Sequence, residues 1–461
     1  MCGIIGITGH EDAARLAYFG LYALQHRGQE SAGIAAWDER TGTAHVHTGM
    51  GLVPDVFSEQ DLRDLVGSAA IGHVRYSTTG KPQVRNAQPL AVRIKDGIQL
   101  ALAHNGNLTN AADLRRILED EGCIFQTTSD SEIFVHLIAR ELKGGDVAQA
   151  IRAACARVEG AYSLIIMANG TLYAVRDPHG FHPLSMARSG GSLFFASESC
   201  AFDLLEADYV REVRPGEMVI AGAGGADCRS VSLSGAGAPA RQCIFELVYF
   251  ARPDSIVFGE DVYQCRKRMG ENMMREAPAD ADCVIPFPDS GVYAALGAAQ
   301  ESGIPYEHAL IRNHYVGRTF IQPSQSMRQY NVRVKINPVR SMIHGRSLCV
   351  VDDSIVRGTT IRTRVAKLRD MGAKAVHFRV SSPPVLHPCF YGIDFPSPSE
   401  LIATTCDAEK LASMLGLDSL HYLSLQGLLA SVSRPEHYCT ACFTGEYPTR
   451  PPAVRGKMSL E

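Results

Sequence analysis

Residues 347–360 read SLCVVDDSIVRGTT, and this stretch decides the architecture of the half that contains it. Leu348 to Val351 is a short continuous apolar run, the pattern of a strand buried on both faces of a parallel sheet. Two carboxylates, Asp352 and Asp353, stand where that strand must end. Small and hydroxylated residues follow (Ser354, Gly358, Thr359, Thr360), and a helical stripe of Ile361, Val365, Leu368 and Met371 then runs up to Gly372. A strand, a loop and a helix in that order put chemistry at the strand's carboxyl end, where open α/β sheets bind ligands. Backbone N–H groups of such a loop can hold a phosphate, while adjacent carboxylates can accept from a sugar diol or hold Mg²⁺. No lysine stands where a Walker-type loop needs one, which argues against nucleotide hydrolysis. The plain structural alternative is an Asp pair that merely caps a helix.

Around this stretch lies a chain of 461 residues, long enough for two or three domains with their own cores. The net charge of −4 implies neither a nucleic-acid surface nor a polyanionic tail. No apolar run is long enough to span a bilayer, and residues 1–30 carry no basic segment followed by a hydrophobic one, so a soluble, cytoplasmic protein is expected. The 13 cysteines are an odd number, which argues against a pure disulfide framework and for thiolate chemistry or metal ligation. Between Ala221 and Ala240 the sequence turns rich in Gly, Ala and Ser, and a domain boundary is expected there.

The amino terminus opens Met1-Cys2-Gly3-Ile4-Ile5-Gly6. A small residue at position 2 favours removal of the methionine, leaving Cys2 with a free α-amine of pKa roughly 7.7–8.0 that can act as base for its own thiol. The alternative is a buried thiol on an apolar strand. Further on stand Gln25-His26-Arg27-Gly28-Gln29-Glu30-Ser31, Gly72-His73-Val74-Arg75-Tyr76-Ser77-Thr78, Ala103-His104-Asn105-Gly106-Asn107 and Ser129-Asp130-Ser131-Glu132. In this order the motifs resemble the N-terminal-nucleophile glutamine amidotransferases. The resemblance implies Cys2 as nucleophile, an oxyanion hole from the Asn105 amide and the Gly106 N–H, and glutamine bound by Arg75 at its α-carboxylate and Asp130 at its ammonium. Local chemistry offers other readings: Asn-Gly is a favoured hairpin turn, and Ser129 with Glu132 spells a capping box ahead of a helix from Ile133 to Leu142. Asp177-Pro178-His179-Gly180 and His182-Pro183 read as turns without a catalytic role.

In the second half the string from Cys243 through Glu246 to Ser255 and the strand–loop–helix at Val284-Ile285-Pro286, Pro288-Asp289-Ser290-Gly291 join the 347–360 stretch in resembling the transferase domain of the amidophosphoribosyltransferases, a type I phosphoribosyltransferase. That resemblance implies phosphoribosyl diphosphate (PRPP) with its ribose hydroxyls on Asp352 and Asp353, its 5′-phosphate in the loop of Ser354, Gly358, Thr359 and Thr360, and one Mg²⁺ near Asp352, Asp353 and Ser290. From Arg312 to Gly345 there is no acidic residue but there are Arg312, Arg318, Arg328, Arg333, Lys335 and Arg340, a stretch that focuses potential toward an anion. The resemblance implies a lid there that orders over PRPP, and the expectation is that it also completes an apolar passage for ammonia. Cys243, Cys389, Cys439 and Cys442 match the ligands of one [4Fe–4S] cluster per subunit in the iron–sulfur class, although four thiolates suit tetrahedral Zn²⁺ about equally well.

The expected fold is therefore mixed α/β and α+β, with a four-layer α/β/β/α nucleophile-hydrolase sandwich over 2–235 and a parallel-sheet phosphoribosyltransferase domain over 241–461. The implied reaction transfers glutamine-derived ammonia to PRPP, giving 5-phosphoribosylamine, glutamate and pyrophosphate in purine synthesis. Purine nucleotides are expected as feedback inhibitors and a homotetramer as the assembly, with no nucleic-acid or membrane partner. Unlike some iron–sulfur relatives the chain shows no leader before Cys2, so maturation is expected to need only methionine removal. Two alternatives stand beside this reading: a non-catalytic PRPP or nucleotide sensor on the same fold, and a glucosamine-6-phosphate synthase-like amidotransferase, which would carry sugar-isomerase repeats in place of VVDDSIVRGTT.

Overall fold

The computed structural model describes residues 1–77, 82–142, 144–225, 227–234, 237–313, 336–395 and 397–452, without the side chains of 359 and 360. Much of the basic segment, with Arg318, Arg328, Arg333 and Lys335, falls outside the described residues, as does Thr78.

Two antiparallel sheets form the centre of the first half. One has seven strands in the order Asp208–Glu212, Ser185–Ser189, Ser192–Ala196, Gly3–Thr8, Ala69–Arg75, Ser31–Asp38, Thr43–Met50. The other has six, in the order Cys228–Ser232, Glu217–Ala221, Thr171–Arg176, Gly160–Ala168, Gln99–Leu108, Leu90–Arg93. Successive side chains of a strand point to opposite faces, and the first strand uses both. Ile4 enters the core between the sheets with Ala103, Ile165 and Phe195, whereas Ile5 and Ile7 pack outward with Leu21 and Ala17 of the helix Ala13–Ala23. A Cβ on Gly6 would stand 2.7 Å from Ile165 Cγ2, so the sheets approach too closely there for any side chain. On the outer face of the six-stranded sheet, Leu102, Leu164 and Ile166 pack with Leu114, Phe134, Leu137 and Ile151 from three helices, Ala111–Asp120, Ser131–Glu141 and Val147–Cys155. Helix, sheet, sheet and helix are thus the four layers expected.

The second half is built on a parallel sheet in the order Cys283–Pro286, Ser347–Asp352, Ala375–Val380, Ser419–Tyr422. The strands Cys283–Pro286 and Ser347–Asp352 are apolar on both faces over Cys283–Pro286 and Leu348–Val351 because helices cover both. Cys349 and Val351 pack with Met269, Met273 and Ala295, while Leu348 and Val350 pack with Ile361, Val365, Leu368 and Leu411. A short parallel pairing of Gln242–Cys243 with Tyr438–Cys439 joins the start of this half to its end.

Three local readings are corrected. Asn105-Gly106 is no hairpin turn but lies inside the strand Gln99–Leu108, where Asn105 faces Ser163 and Gly106 faces Tyr162. Ser129 and Glu132 form no capping box: the Glu132 carboxylate accepts from the N–H groups of Gln126 at 2.8 Å and Thr127 at 2.7 Å instead. The Gly/Ala-rich stretch expected as a boundary contains the strand Cys228–Ser232, which belongs to the first half, so the connection proper begins after it.

Candidate active sites

At the amino terminus the strand register places Gly3 opposite Val74, so Arg75 sits beside Cys2 at the end of the neighbouring strand. The facing sheet supplies Asn105, whose Oδ1 accepts from the backbone nitrogen of Cys2 at 3.0 Å. Its Nδ2 is buried and has no hydrogen-bond partner among the described residues. An amide donor buried without a partner is costly, and such groups concentrate where a ligand completes them. Gly106 has φ +153°, and a Cβ there would stand 2.1 Å from the Ala161 carbonyl oxygen, so only glycine fits. The Cys2 thiol lies 3.6 Å from the Tyr76 carbonyl oxygen. Met1 is present in the chain described, its side chain 1% exposed in the core of the second half. The nitrogen bonded to Asn105 is therefore an amide here, and it is the atom that becomes an amine once Met1 is removed.

The expected glutamine ligands lie at the same end of the sandwich and are buried. Arg75 is 3.6 Å from Glu30 Oε2. Asp130 Oδ2 accepts from Leu108 N at 2.9 Å, which fixes it near the end of the strand that carries Asn105. Burial holds His104 below the usual histidine range and brings His73 down to about 3, so both are neutral at physiological pH, and His73 Nε2 lies 3.1 Å from the His104 carbonyl oxygen.

At the carboxyl end of the parallel strand Ser347–Asp352, Asp352 and Asp353 are both buried. Burial and the adjacent Asp353 charge push the Asp352 carboxyl well above the usual carboxylate range. Ser290 donates to Asp352 Oδ1 at 3.3 Å, so the two strand–loop–helix units converge as expected. Asp353 N donates to Asp352 Oδ1 at 3.0 Å and Ser354 Oγ to Asp353 Oδ2 at 2.5 Å. Gly358, with φ +70°, precedes the helix Thr359–Asp370, whose first residues Thr359 and Thr360 point their N–H groups back toward this loop. Arg364, one turn further, balances part of the acidic charge. Arg312, from the start of the basic segment, is ion-paired with Asp289.

Cys243, Cys389, Cys439 and Cys442 are drawn together from distant parts of the chain. Cys243 and Cys439 face each other in the short parallel pairing, and burial together with the neighbouring thiols holds the Cys243 and Cys442 thiols above their ordinary range. By donor type, four soft sulfurs suit an iron–sulfur cluster or zinc. Among the described residues no three His, Cys, Asp or Glu side chains converge on one ion in the present arrangement, at this site or at the Asp352 site.

Sequence reasoning missed a buried ionic group under Cys2. Arg27 Nε donates to the Cys2 carbonyl oxygen at 2.9 Å, and its guanidinium meets Glu198 and Glu246, all with fully buried side chains. His182, read as part of a turn, lies 3.3 Å from Glu246 Oε1 through Nδ1 and 2.5 Å from the Tyr391 carbonyl oxygen through Nε2. Arg27 stood in a quoted motif, but nothing local pointed to partners 171 and 219 residues away.

The comparisons with known proteins cover both halves. Residues 73–203 match the glutamine amidotransferase domain family. The chain is similar to amidophosphoribosyltransferase 2, chloroplastic, of Arabidopsis thaliana, with 48% identity over 98% of this chain and 80% of that protein. It is also similar to the amidophosphoribosyltransferase of a Synechocystis strain, with 49% identity over 100% of this chain and 94% of the other. The fold superposes on the glutamine PRPP amidotransferase of B. subtilis complexed with ADP and GMP, with a TM-score of 0.92, 44% identity and 100% of both chains covered. Described residues include no helix long and apolar enough to cross a membrane. With near-complete coverage at this identity, the chain belongs to the amidophosphoribosyltransferase family.

Proposed function

We propose that this chain, an enzyme of the first committed step of purine biosynthesis, performs it as two half-reactions at the two sites described. The Cys2 thiol attacks the side-chain amide of glutamine, with its own amine as base once Met1 is gone. The tetrahedral oxyanion is met by the Asn105 Nδ2 and the Gly106 N–H, ammonia leaves, and water releases glutamate. Arg75 and Asp130 hold the two charged ends of the amino acid. The observation that carries this reading is the buried, partnerless Asn105 Nδ2, held in place because Oδ1 is bonded to the residue that bears the thiol.

In the second half-reaction Asp352, Asp353 and the 354–360 loop hold PRPP while ammonia displaces pyrophosphate at C1. Mg²⁺ bound by Asp352, Asp353 and Ser290 would neutralise charge on the departing diphosphate. A [4Fe–4S] cluster on the four cysteines, in preference to zinc, has a cross-linking role, because its ligands tie residue 243 to residues 389–442. A cytoplasmic, tetrameric enzyme with purine-nucleotide feedback completes the proposal. Ammonia must stay unprotonated to react, so the proposal includes a passage between the two sites that excludes water; glutaminase turnover as fast without PRPP as with it would contradict that coupling. The main test measures pyrophosphate release from PRPP with glutamine, with ammonia and with neither. Cys2→Ala should abolish the glutamine-dependent rate and spare the ammonia-dependent one. No release under any condition would favour the sensor reading.

A further inference from the structure

The two halves exchange glutamates beneath the nucleophile. Glu198 of the first half reaches into the loop of the second, where the Arg252 N–H and the Ser255 hydroxyl both donate to its Oε2 at 2.8 Å. Glu246 of the second half reaches the other way and grips Arg27, with Oε1 2.7 Å from one guanidinium nitrogen and Oε2 3.1 Å from another. Arg27 in turn donates from Nε to the Cys2 carbonyl oxygen. Glu246 opens a π-helical turn, Glu246–Phe250, closed by a bond from Ala251 N to the Glu246 carbonyl at 2.9 Å. Such turns are rare and cluster at functional sites, and here the turn joins the residue that grips Arg27 to the loop held by Glu198.

Planar two-point recognition of this kind fixes direction as well as distance. A carboxylate and a guanidinium with no exposed surface have no water to replace a lost partner, so a shift of Glu246 must move Arg27 or leave it with Glu198 as its one carboxylate partner among the described residues. Residue 2 is held on both sides, its nitrogen by Asn105 and its carbonyl by Arg27. We propose that Glu246 is a positioning residue of the transferase half that sets the attack geometry of Cys2 through Arg27, so that movement in the transferase half is felt at the glutaminase nucleophile. The inference rests on Cys2 being that nucleophile. Neither Glu246 nor Arg27 touches the reacting atoms; both act through the backbone of residue 2.

The test uses the full-length enzyme with PRPP present. Glu246→Gln keeps the shape and removes the charge, and Arg27→Lys keeps the charge and removes the fork. Each should lower glutaminase kcat about tenfold to a hundredfold, the usual cost of a misplaced reacting group. The KM for glutamine and ammonia-dependent synthesis should each stay within about threefold, which separates positioning from binding and from loss of fold. In an Arg27→Met background, Glu246→Gln should change kcat by less than about twofold, because the bond through which it acts on residue 2 is already gone. The proposal is overturned if glutaminase kcat is unchanged, if both activities fall in parallel in every variant, or if the two substitutions multiply independently. Cys2→Ala is run alongside: glutaminase activity surviving in that variant would refute the nucleophile assignment itself.

Discussion

Asn105→Ala offers a sharp separation of stability from activity. The substitution removes the bond from Cys2 N to Oδ1, a net contribution of about 0.5–1.5 kcal/mol. It also removes Nδ2, a buried donor without a partner, which relieves a penalty of about 1–3 kcal/mol. The two nearly cancel, so the unfolding free energy should change by no more than about 1 kcal/mol in either direction, although the deleted side chain is fully buried. Catalysis has no such compensation, because loss of one oxyanion donor costs about 2.7–4 kcal/mol of transition-state stabilisation, or roughly 10²–10³ in kcat. Asn105→Asp keeps the acceptor for Cys2 N and puts an oxygen where the donor was, so its glutaminase should be weaker still. Urea unfolding, glutaminase turnover and ammonia-dependent synthesis measured on the same preparations would decide the matter. An alanine variant that loses several kcal/mol of stability yet retains its glutaminase would show Asn105 to be a structural residue.

Three further outcomes follow from the geometry. Asp352 is held well above the ordinary carboxylate value of 3.8, and the proposed metal site needs the ionised pair, so Mg²⁺ affinity measured by calorimetry should keep rising with pH above the range in which an ordinary carboxylate titrates; a profile that levels off where ordinary carboxylates ionise would remove the pair from the metal site. Burial works against ionisation of Glu198, but His26 and Arg27 outweigh it and hold its carboxyl below the ordinary 4.5. Its contribution to stability is thus complete above about 4.5 and lost as pH falls through its native value, and Glu198→Gln should flatten that acid limb of the stability curve. If the proposed cluster is bound, Cys243→Ser should lose iron and sulfide together and lower the unfolding midpoint by about 5 °C or more, the shift expected for about 2 kcal/mol in a domain of this size; iron and sulfide absent from the unaltered enzyme would exclude the cluster, and unchanged content in the variant would remove Cys243 from its ligands.

Much of the fold was legible because its signals are local. Leu348–Val351 is apolar throughout because it is covered on both faces, and the stripe of Ile361, Val365 and Leu368 is the face its helix buries. The acids that end that strand, and Ser290 from the neighbouring unit, came together as their place at the carboxyl ends of parallel strands required. Asn105-Gly106 misled because the same dipeptide that suits a tight turn also suits a strand position where a glycine must meet a facing carbonyl; the partner strand Gly160–Ala168 settles which. Glu132 misled similarly, since its capping distance is right but the nearby backbone of Gln126 and Thr127 competes for the carboxylate. The Arg27, Glu198, Glu246 and His182 group was illegible for another reason. Each is a single residue with no periodicity; Arg27 and Glu198 meet only in the tertiary fold of the first half, and Glu246 reaches Arg27 and His182 only where the two halves dock.

The short pairing of Gln242–Cys243 with Tyr438–Cys439 brings the entrance and the exit of the second half side by side. A polypeptide whose ends meet is a ring in all but one covalent link, and such rings accept being reopened elsewhere. The same clasp makes linker and tail share one fate: tension applied at the carboxyl end would unzip the seat of Cys243 before any strand of the parallel sheet lost a neighbour.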